Sequence, residues 1–205
     1  MLNLKKVSVT GDLASGKSEV CRFFSDLGAF TLNADRIATE LLVPGTVYGD
    51  RVVALLGEDV VVEGQFDRRR VAEKVFKERA GGDFVLLKRL EAILHPGIRR
   101  IIEERYLWAV QEGAFPLFVV EVPLLYETKG EGWYDVVIFV LTRSEIRQKR
   151  YIKKTGRLDF TERCERFLPT EERVSRSHII IENNGSLENL GDQVVKYFYS
   201  LKEKL

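Results

Sequence analysis

Val7-Ser8-Val9-Thr10-Gly11-Asp12-Leu13-Ala14-Ser15-Gly16-Lys17-Ser18 is the stretch whose reading decides the fold. Its first four residues form a short β-rich run stopped by glycine, which predicts a buried strand. Its last eight fit Gly-x-x-x-x-Gly-Lys-Ser, and each fixed position has a physical reason. The glycines let the backbone curl through unusual dihedral angles and approach a phosphate closely. Successive N–H groups then face inward as a nest for anionic oxygens. From Ser18 to Leu27, the apolar residues Val20, Phe23, Phe24 and Leu27 keep helical spacing, and Gly28 supplies the stop. The start of that helix adds the positive end of a dipole. In this pattern Lys17 reaches the β- and γ-phosphates, and the Ser18 hydroxyl ligates Mg²⁺. A strand before the motif and a helix after it give the context in which it binds a nucleoside triphosphate.

Working outward, Phe30-Thr31-Leu32 reads as a second strand ending at Asn33-Ala34-Asp35. A helix starts near Arg36 and stops before Pro44-Gly45. Leu117 to Val122 and Val136 to Leu141 are nearly continuous apolar runs, the mark of parallel strands covered on both faces. Ile179-Ile180-Ile181 is the last strand, and Ser186 to Lys204 closes the chain as an amphipathic helix. Strands alternating with helices predict an α/β fold: a parallel β-sheet of the P-loop NTPase type flanked by helices. Tyr48 to Glu112 shows few strand signals and reads as a helical insertion, with a helix from Arg70 to Arg79. A long amphipathic helix from Phe84 to Gln111 should break or kink at His95-Pro96. A basic helix runs from Ser144 to Lys154. We expect a single domain, residues 1–205. Its nucleotide-binding core takes in about 1–47, 114–142 and 177–205, its helical substrate-binding insertion about 48–113, and its helical lid about 143–176.

The bulk numbers exclude several classes. Apolar residues make up 45% and charged residues 31% of 205, ordinary for a globular chain that buries a core. With 32 basic against 31 acidic residues the net charge is +1, so no polyanion-binding surface is implied and no nucleic-acid partner is expected. The two cysteines, Cys21 and Cys164, make neither a disulfide framework nor a metal site, and Cys21 reads as a small buried hydrophobe. No apolar run approaches the roughly 20 residues that span a bilayer, and the N-terminus lacks a signal peptide's apolar region. A cytoplasmic, reducing setting and a monomer are the expectations.

Among P-loop proteins, a GTPase would show Asn-Lys-x-Asp, which is missing here, and motors are usually larger. Size favours a small-molecule kinase. Asp35, at the carboxyl end of a strand beside the phosphate loop, is a candidate base, although an aspartate opening a helix also reads as an N-cap. Glu121 ends the strongest strand, either to hold a magnesium-bound water or as one half of a surface pair.

The residues closely resemble one family in order, the dephospho-coenzyme A kinases. Val9-Thr10-Gly11 and Ser15-Gly16-Lys17-Ser18 resemble its phosphate loop, and Asn33-Ala34-Asp35 its Asp-Ala-Asp. Asp67-Arg68-Arg69-Arg70 with Val75-Phe76 resembles its basic stretch, and Ile93-Leu94-His95-Pro96 its Leu-His-Pro. Val122-Pro123-Leu124-Leu125-Tyr126-Glu127 is similar to Val-Pro-Leu-Leu-Phe-Glu, and Ile181-Glu182-Asn183-Asn184-Gly185 to Ile-x-Asn-x-Gly. The chain departs from the pattern at Asp12 and Ala14, where glycine is usual, at Asn33 for aspartate, and at Phe167 for glutamine. It departs again at Ser177-His178, where Ala-Asp is usual. Ala14 requires a backbone angle that an alanine can hold.

The resemblance implies transfer of the γ-phosphoryl of ATP to the ribose 3′-hydroxyl of dephospho-CoA, with Mg²⁺, as the last step of coenzyme A biosynthesis. It implies nucleotide contacts at Gly11, Ala14, Ser15, Gly16, Lys17, Ser18 and Glu19, with Asn184 and Gly185 against the adenine. It implies Asp35 as base, and Lys17 and Arg150 as charge-stabilising catalytic groups. Ser18 and Glu121 would stand at the metal, and His95, Pro123, Leu124 and Leu125 at the acceptor substrate. Of the basic helix residues Arg143, Arg147, Lys149, Arg150, Lys153 and Lys154, all but Arg150 read as a solvated face. Arg157 is a weaker phosphate candidate. The CoA pyrophosphate has candidate partners in Arg68, Arg69, Arg70, Lys74 and Lys77. Two alternatives remain: a P-loop kinase for another nucleoside or nucleotide, and a nucleotide-gated binding protein that hydrolyses slowly.

Overall fold

The computed structural model describes residues 4–77, 79–80 and 83–203. Two compact units emerge, Met1–Asn33 with Tyr106–Leu205, and Ala34–Arg105. Among the described residues the first unit holds a sheet of five parallel strands: β1 (Lys6–Gly11), β2 (Phe30–Asn33), β7 (Phe118–Glu121), β8 (Val136–Leu141) and β9 (Ile179–Glu182). Their order is β2-β7-β1-β8-β9, so β1 is central and delivers the loop after it to the middle of the carboxyl edge. The expected α/β class and parallel sheet are therefore present.

Both faces of the sheet are covered, which explains the unbroken apolar runs. On one face Val7, Val9, Val119, Ile138, Val140 and Ile181 pack with helix α1 (Lys17–Asp26) through Val20, Cys21 and Phe24. The carboxyl-terminal helix α9 (Leu187–Glu203) joins them through Leu190, Val194, Phe198 and Leu201. On the other face Ser8, Thr10, Phe118, Val120, Val137 and Phe139 are also buried. There the Tyr106 ring meets Phe118 edge-on, 5.3 Å between centroids.

The second unit contains α2 (Ala34–Leu41), α3 (Val47–Leu56), α4 (Arg68–Lys77) and most of α5 (Val85–Glu112). It also holds two antiparallel pairs that the sequence reading missed, β3 (Val61–Val62) with β4 (Gln65–Phe66), and β5 (Arg79–Ala80) with β6 (Asp83–Phe84). Strands of two residues carry no alternation to detect. The expected break at Pro96 is absent: α5 runs through it. The proline removes one hydrogen bond, from its own position to the Ala92 carbonyl, at a cost of roughly 3 kcal/mol. Buried Leu87, Leu90 and Leu94 before it and Ile102 after it each contribute about 1.5–3 kcal/mol, so packing overrides the local cost.

In the first unit, β8 leads to α6 (Ser144–Thr155), then to two short helices that lie within the expected helical lid but that the sequence does not place individually, α7 (Phe160–Cys164) and α8 (Thr170–Ser175). The Phe24 ring is fully buried, 6.4 Å from the Phe198 ring. Phe24→Ala should lower unfolding free energy by about 3–5 kcal/mol, read as a shifted urea midpoint at unchanged slope.

Candidate functional site

The loop between β1 and α1 has the backbone that its glycines were expected to provide. Gly11 has φ +148°, and a Cβ there would stand 2.6 Å from the Val140 carbonyl oxygen. Gly16 has φ +97°, and a Cβ there would fall 2.1 Å from Asn183 Nδ2. Ala14 does adopt a left-handed angle, φ +59°, at a cost of roughly 1–2 kcal/mol for an L-residue.

One carbonyl fixes the turn of this loop. The Ser15 oxygen accepts from Asn183 Nδ2 at 2.8 Å, from Thr142 Oγ1 at 2.9 Å, and from Arg150 Nη1 at 3.5 Å. Because the peptide is trans, the Gly16 N–H points the opposite way, away from these groups. Among the described residues no side chain caps the start of α1 at Gly16. Amides left uncapped at a helix start are what a phosphate requires. Lys17 is buried, and its Nζ donates to the carbonyls of Gly11 (3.1 Å) and Asp12 (2.8 Å). Its charge is thereby held over the loop.

Beside the loop stands a carboxylate with two donors. Ser18 Oγ donates to Glu121 Oε1 at 2.9 Å, and Asn33 Nδ2 donates to Oε2 at 2.8 Å. The sheet register explains this, since Asn33 of β2 sits opposite Glu121 of β7. Glu121 is buried, so it is not one half of a surface pair. Nearby, burial first and the Glu121 charge second push the Cys21 thiol well up, while Lys17 opposes them. Cys21 is thus a protonated core residue, as its helical position suggested.

The basic helix is less solvated than expected. Arg150 Nη2 reaches Asn183 O and Oδ1, both at 3.3 Å, so this side chain lies against the loop. Arg147 is a correction to the solvated-face reading: its side chain is 11% exposed and its Nη2 lies 3.7 Å from Asp12 Oδ2. Asn184 Oδ1 accepts from the Arg143 N–H at 2.9 Å, and Gly185 is exposed. Sequence reasoning passed over Asn183 for its neighbour Asn184. The signal was available, because Asn183 is the fixed asparagine of Ile-x-Asn-x-Gly.

A family model described as dephospho-CoA kinase matches residues 5–189. A dephospho-CoA kinase of Chlamydia pneumoniae is 50% identical over 207 residues, covering 100% of both chains. The chain belongs to the dephospho-CoA kinase family. The enzyme is accordingly a kinase that uses ATP in coenzyme A biosynthesis. Among solved structures, one from Thermus thermophilus is similar with TM-score 0.78 and 30% identity, covering 96% of this chain and 97% of that one. A dephospho-CoA kinase from Campylobacter jejuni is similar in fold, TM-score 0.62 and 24% identity, with 96% and 97% covered.

The remaining expected site residues fall in both units. Asp35 is exposed, in the first turn of α2 directly after β2. Pro123 and Leu124 are half-buried, whereas Leu125 is 1% exposed and belongs to the interior. Glu19 accepts from Arg22 Nε at 2.9 Å on the outer face of α1. Arg69 pairs with Glu73, Arg70 with Asp67 and Lys74 with Asp59, while Arg68 is exposed. The Lys77 side chain lies outside the described residues. Among the described residues no helix is long and apolar enough to cross a membrane.

His95 is half-buried in α5, and burial first, then the neighbouring Arg99 charge, lowers its pKa. The unfolded chain therefore takes up this proton at higher pH than the folded chain does, so acidification through the ordinary imidazole range favours unfolding. His95→Gln should flatten the fall in melting temperature between about pH 7.5 and 5.5. Gly16→Ala should abolish ATP binding in isothermal titration, because the added methyl strikes Asn183. Ala14→Gly should keep ATP binding and change stability by less than about 1 kcal/mol, since relief of the left-handed angle offsets the added chain entropy.

Proposed function

We propose that the enzyme transfers the γ-phosphoryl group of ATP to the ribose 3′-hydroxyl of dephospho-CoA, giving ADP and CoA. One observation carries this reading: Ser18, on the first turn after the phosphate loop, meets the buried Glu121 carboxylate at 2.9 Å. Ser18 Oγ and the Glu121 oxygens are hard donors, which fits Mg²⁺, an ion that keeps several waters and takes phosphate oxygens as further ligands. Ser18 would hold it directly and Glu121 through water, with Asn33 keeping the carboxylate oriented. Bound there, the ion would neutralise charge on the β- and γ-phosphates.

The chain's own groups do the rest. Loop amides of Gly11 and Ala14 to Ser18 seat the phosphates. Lys17 exchanges the loop carbonyls for β- and γ-oxygens, and Glu19 closes the first turn. Asp35, exposed at the start of α2, accepts the proton of the 3′-hydroxyl as its oxygen attacks the γ-phosphorus and the bond to the β-bridging oxygen breaks. Arg150 balances the charge that spreads over the transferring group. His95, Pro123 and Leu124 shape the acceptor site, with Leu125 supporting the wall from inside. Asn184 and Gly185 border the adenine. Arg69, Arg70 and Lys74, by exchange from their acidic neighbours, and the exposed Arg68 are partners for the CoA pyrophosphate. The enzyme acts as a monomer in the cytoplasm, without nucleic acid or membrane partners.

Lys17→Ala should reduce turnover on the order of a thousandfold, since it removes a fixed positive charge from the transferring group. Asp35→Asn should lower kcat roughly 100- to 10,000-fold while leaving the ATP dissociation constant within about threefold. An ADP-release assay with dephospho-CoA beside an ATP titration checks both. Full turnover by Asp35→Asn would remove Asp35 as the base.

A further inference from the structure

The phosphate loop carries a buried negative charge of its own. Asp12, its second residue, is 4% exposed. Arg173 of α8, 1% exposed, donates to Asp12 Oδ1 through Nη2. Arg147 Nη2 lies 3.7 Å from Oδ2, and Thr170 Oγ1 donates to Oδ2 at 3.4 Å. Arg173 is held independently of Asp12. Its Nε donates to the Leu168 carbonyl at 2.9 Å, and its guanidinium lies over the Phe139 and Phe167 rings, 5.2 and 5.1 Å from their centroids. Its Nη1 is buried without a hydrogen-bond partner among the described residues. The pairing is thus end-on, not a two-pronged fork, and what it supplies to Asp12 is mainly charge. Asp12 and Phe167, two of the departures noted from the family pattern, therefore meet on one side chain.

A loop that seats a triphosphate works against itself if it holds an unbalanced carboxylate, because the repulsion is strong in a water-poor site. We propose that Arg173 is a positioning residue for ATP: it neutralises Asp12, with Arg147 as the second counter-charge, and so lets an acidic phosphate loop accept a polyanion. This rests on the loop being the ATP site, which Lys17→Ala tests separately.

The test is a charge-pair cycle read as KM and kcat for each substrate. Arg173→Met should raise KM for ATP about tenfold or more, leaving KM for dephospho-CoA and kcat within about twofold. Adding Asp12→Asn to Arg173→Met should bring KM for ATP back to within about threefold of the parent. Arg173→Lys, which keeps the charge and loses the ring contacts and the Nε bond, should also stay within about threefold. A role in packing alone predicts that Arg173→Lys is as impaired as Arg173→Met, and that Asp12→Asn brings no relief. Either result overturns the proposal, as does an unchanged KM for ATP in Arg173→Met. Should Arg173→Met not fold, Arg147→Met takes its place in the cycle. A raised KM for ATP that Asp12→Asn relieves supports the counter-charge role, and an unchanged or unrelieved KM overturns it.

Discussion

The outward turn of the Ser15 carbonyl is the constraint on which the site depends. A peptide has its C=O and N–H on opposite sides, so tying the oxygen to Thr142 and Asn183 commits the Gly16 amide to the other direction. Those two residues follow the ends of β8 and β9, so the sheet itself sets the loop. Gly16 has to be glycine twice over, for its positive φ and because Asn183 occupies the space of a Cβ. The loop is consequently preformed, and little ordering entropy remains to be lost when phosphate arrives.

Around that loop the charges are balanced in pairs. Lys17 sits on two loop carbonyls, Glu121 receives Ser18 and Asn33, and Asp12 receives Arg173 and Arg147. Buried charges without partners would cost several kcal/mol each. Asn33 can donate to Glu121 because it is an amide. An aspartate there would place a second carboxylate against the first, so the substitution makes the pair compatible as a neutral–anionic hydrogen bond.

Much of this was legible in the sequence. All five strands were legible, two of them as nearly continuous apolar runs and the others as short β-rich stretches, and the phosphate loop announced itself by glycine spacing between strand and helix. Ser18 and Glu121 each read as residues at the metal, but their direct contact is seen only in the structure. What escaped were contacts that no local pattern encodes. Asp12 and Arg173 are 161 positions apart, and a charge within a basic helix, such as Arg147, looks solvated until its acid is known. Local rules also misled at Pro96, where apolar residues on both flanks hold the helix through the proline.

A loop held in this way should present its triphosphate to a sugar hydroxyl and not to water. The most direct measurement is the ratio of ADP to CoA formed by the purified enzyme with ATP, Mg²⁺ and dephospho-CoA, with the 3′-phosphate identified by phosphorus NMR. Equal amounts of ADP and CoA should form, with negligible ADP when the acceptor is left out. ADP release that proceeds at the same rate without dephospho-CoA would contradict this.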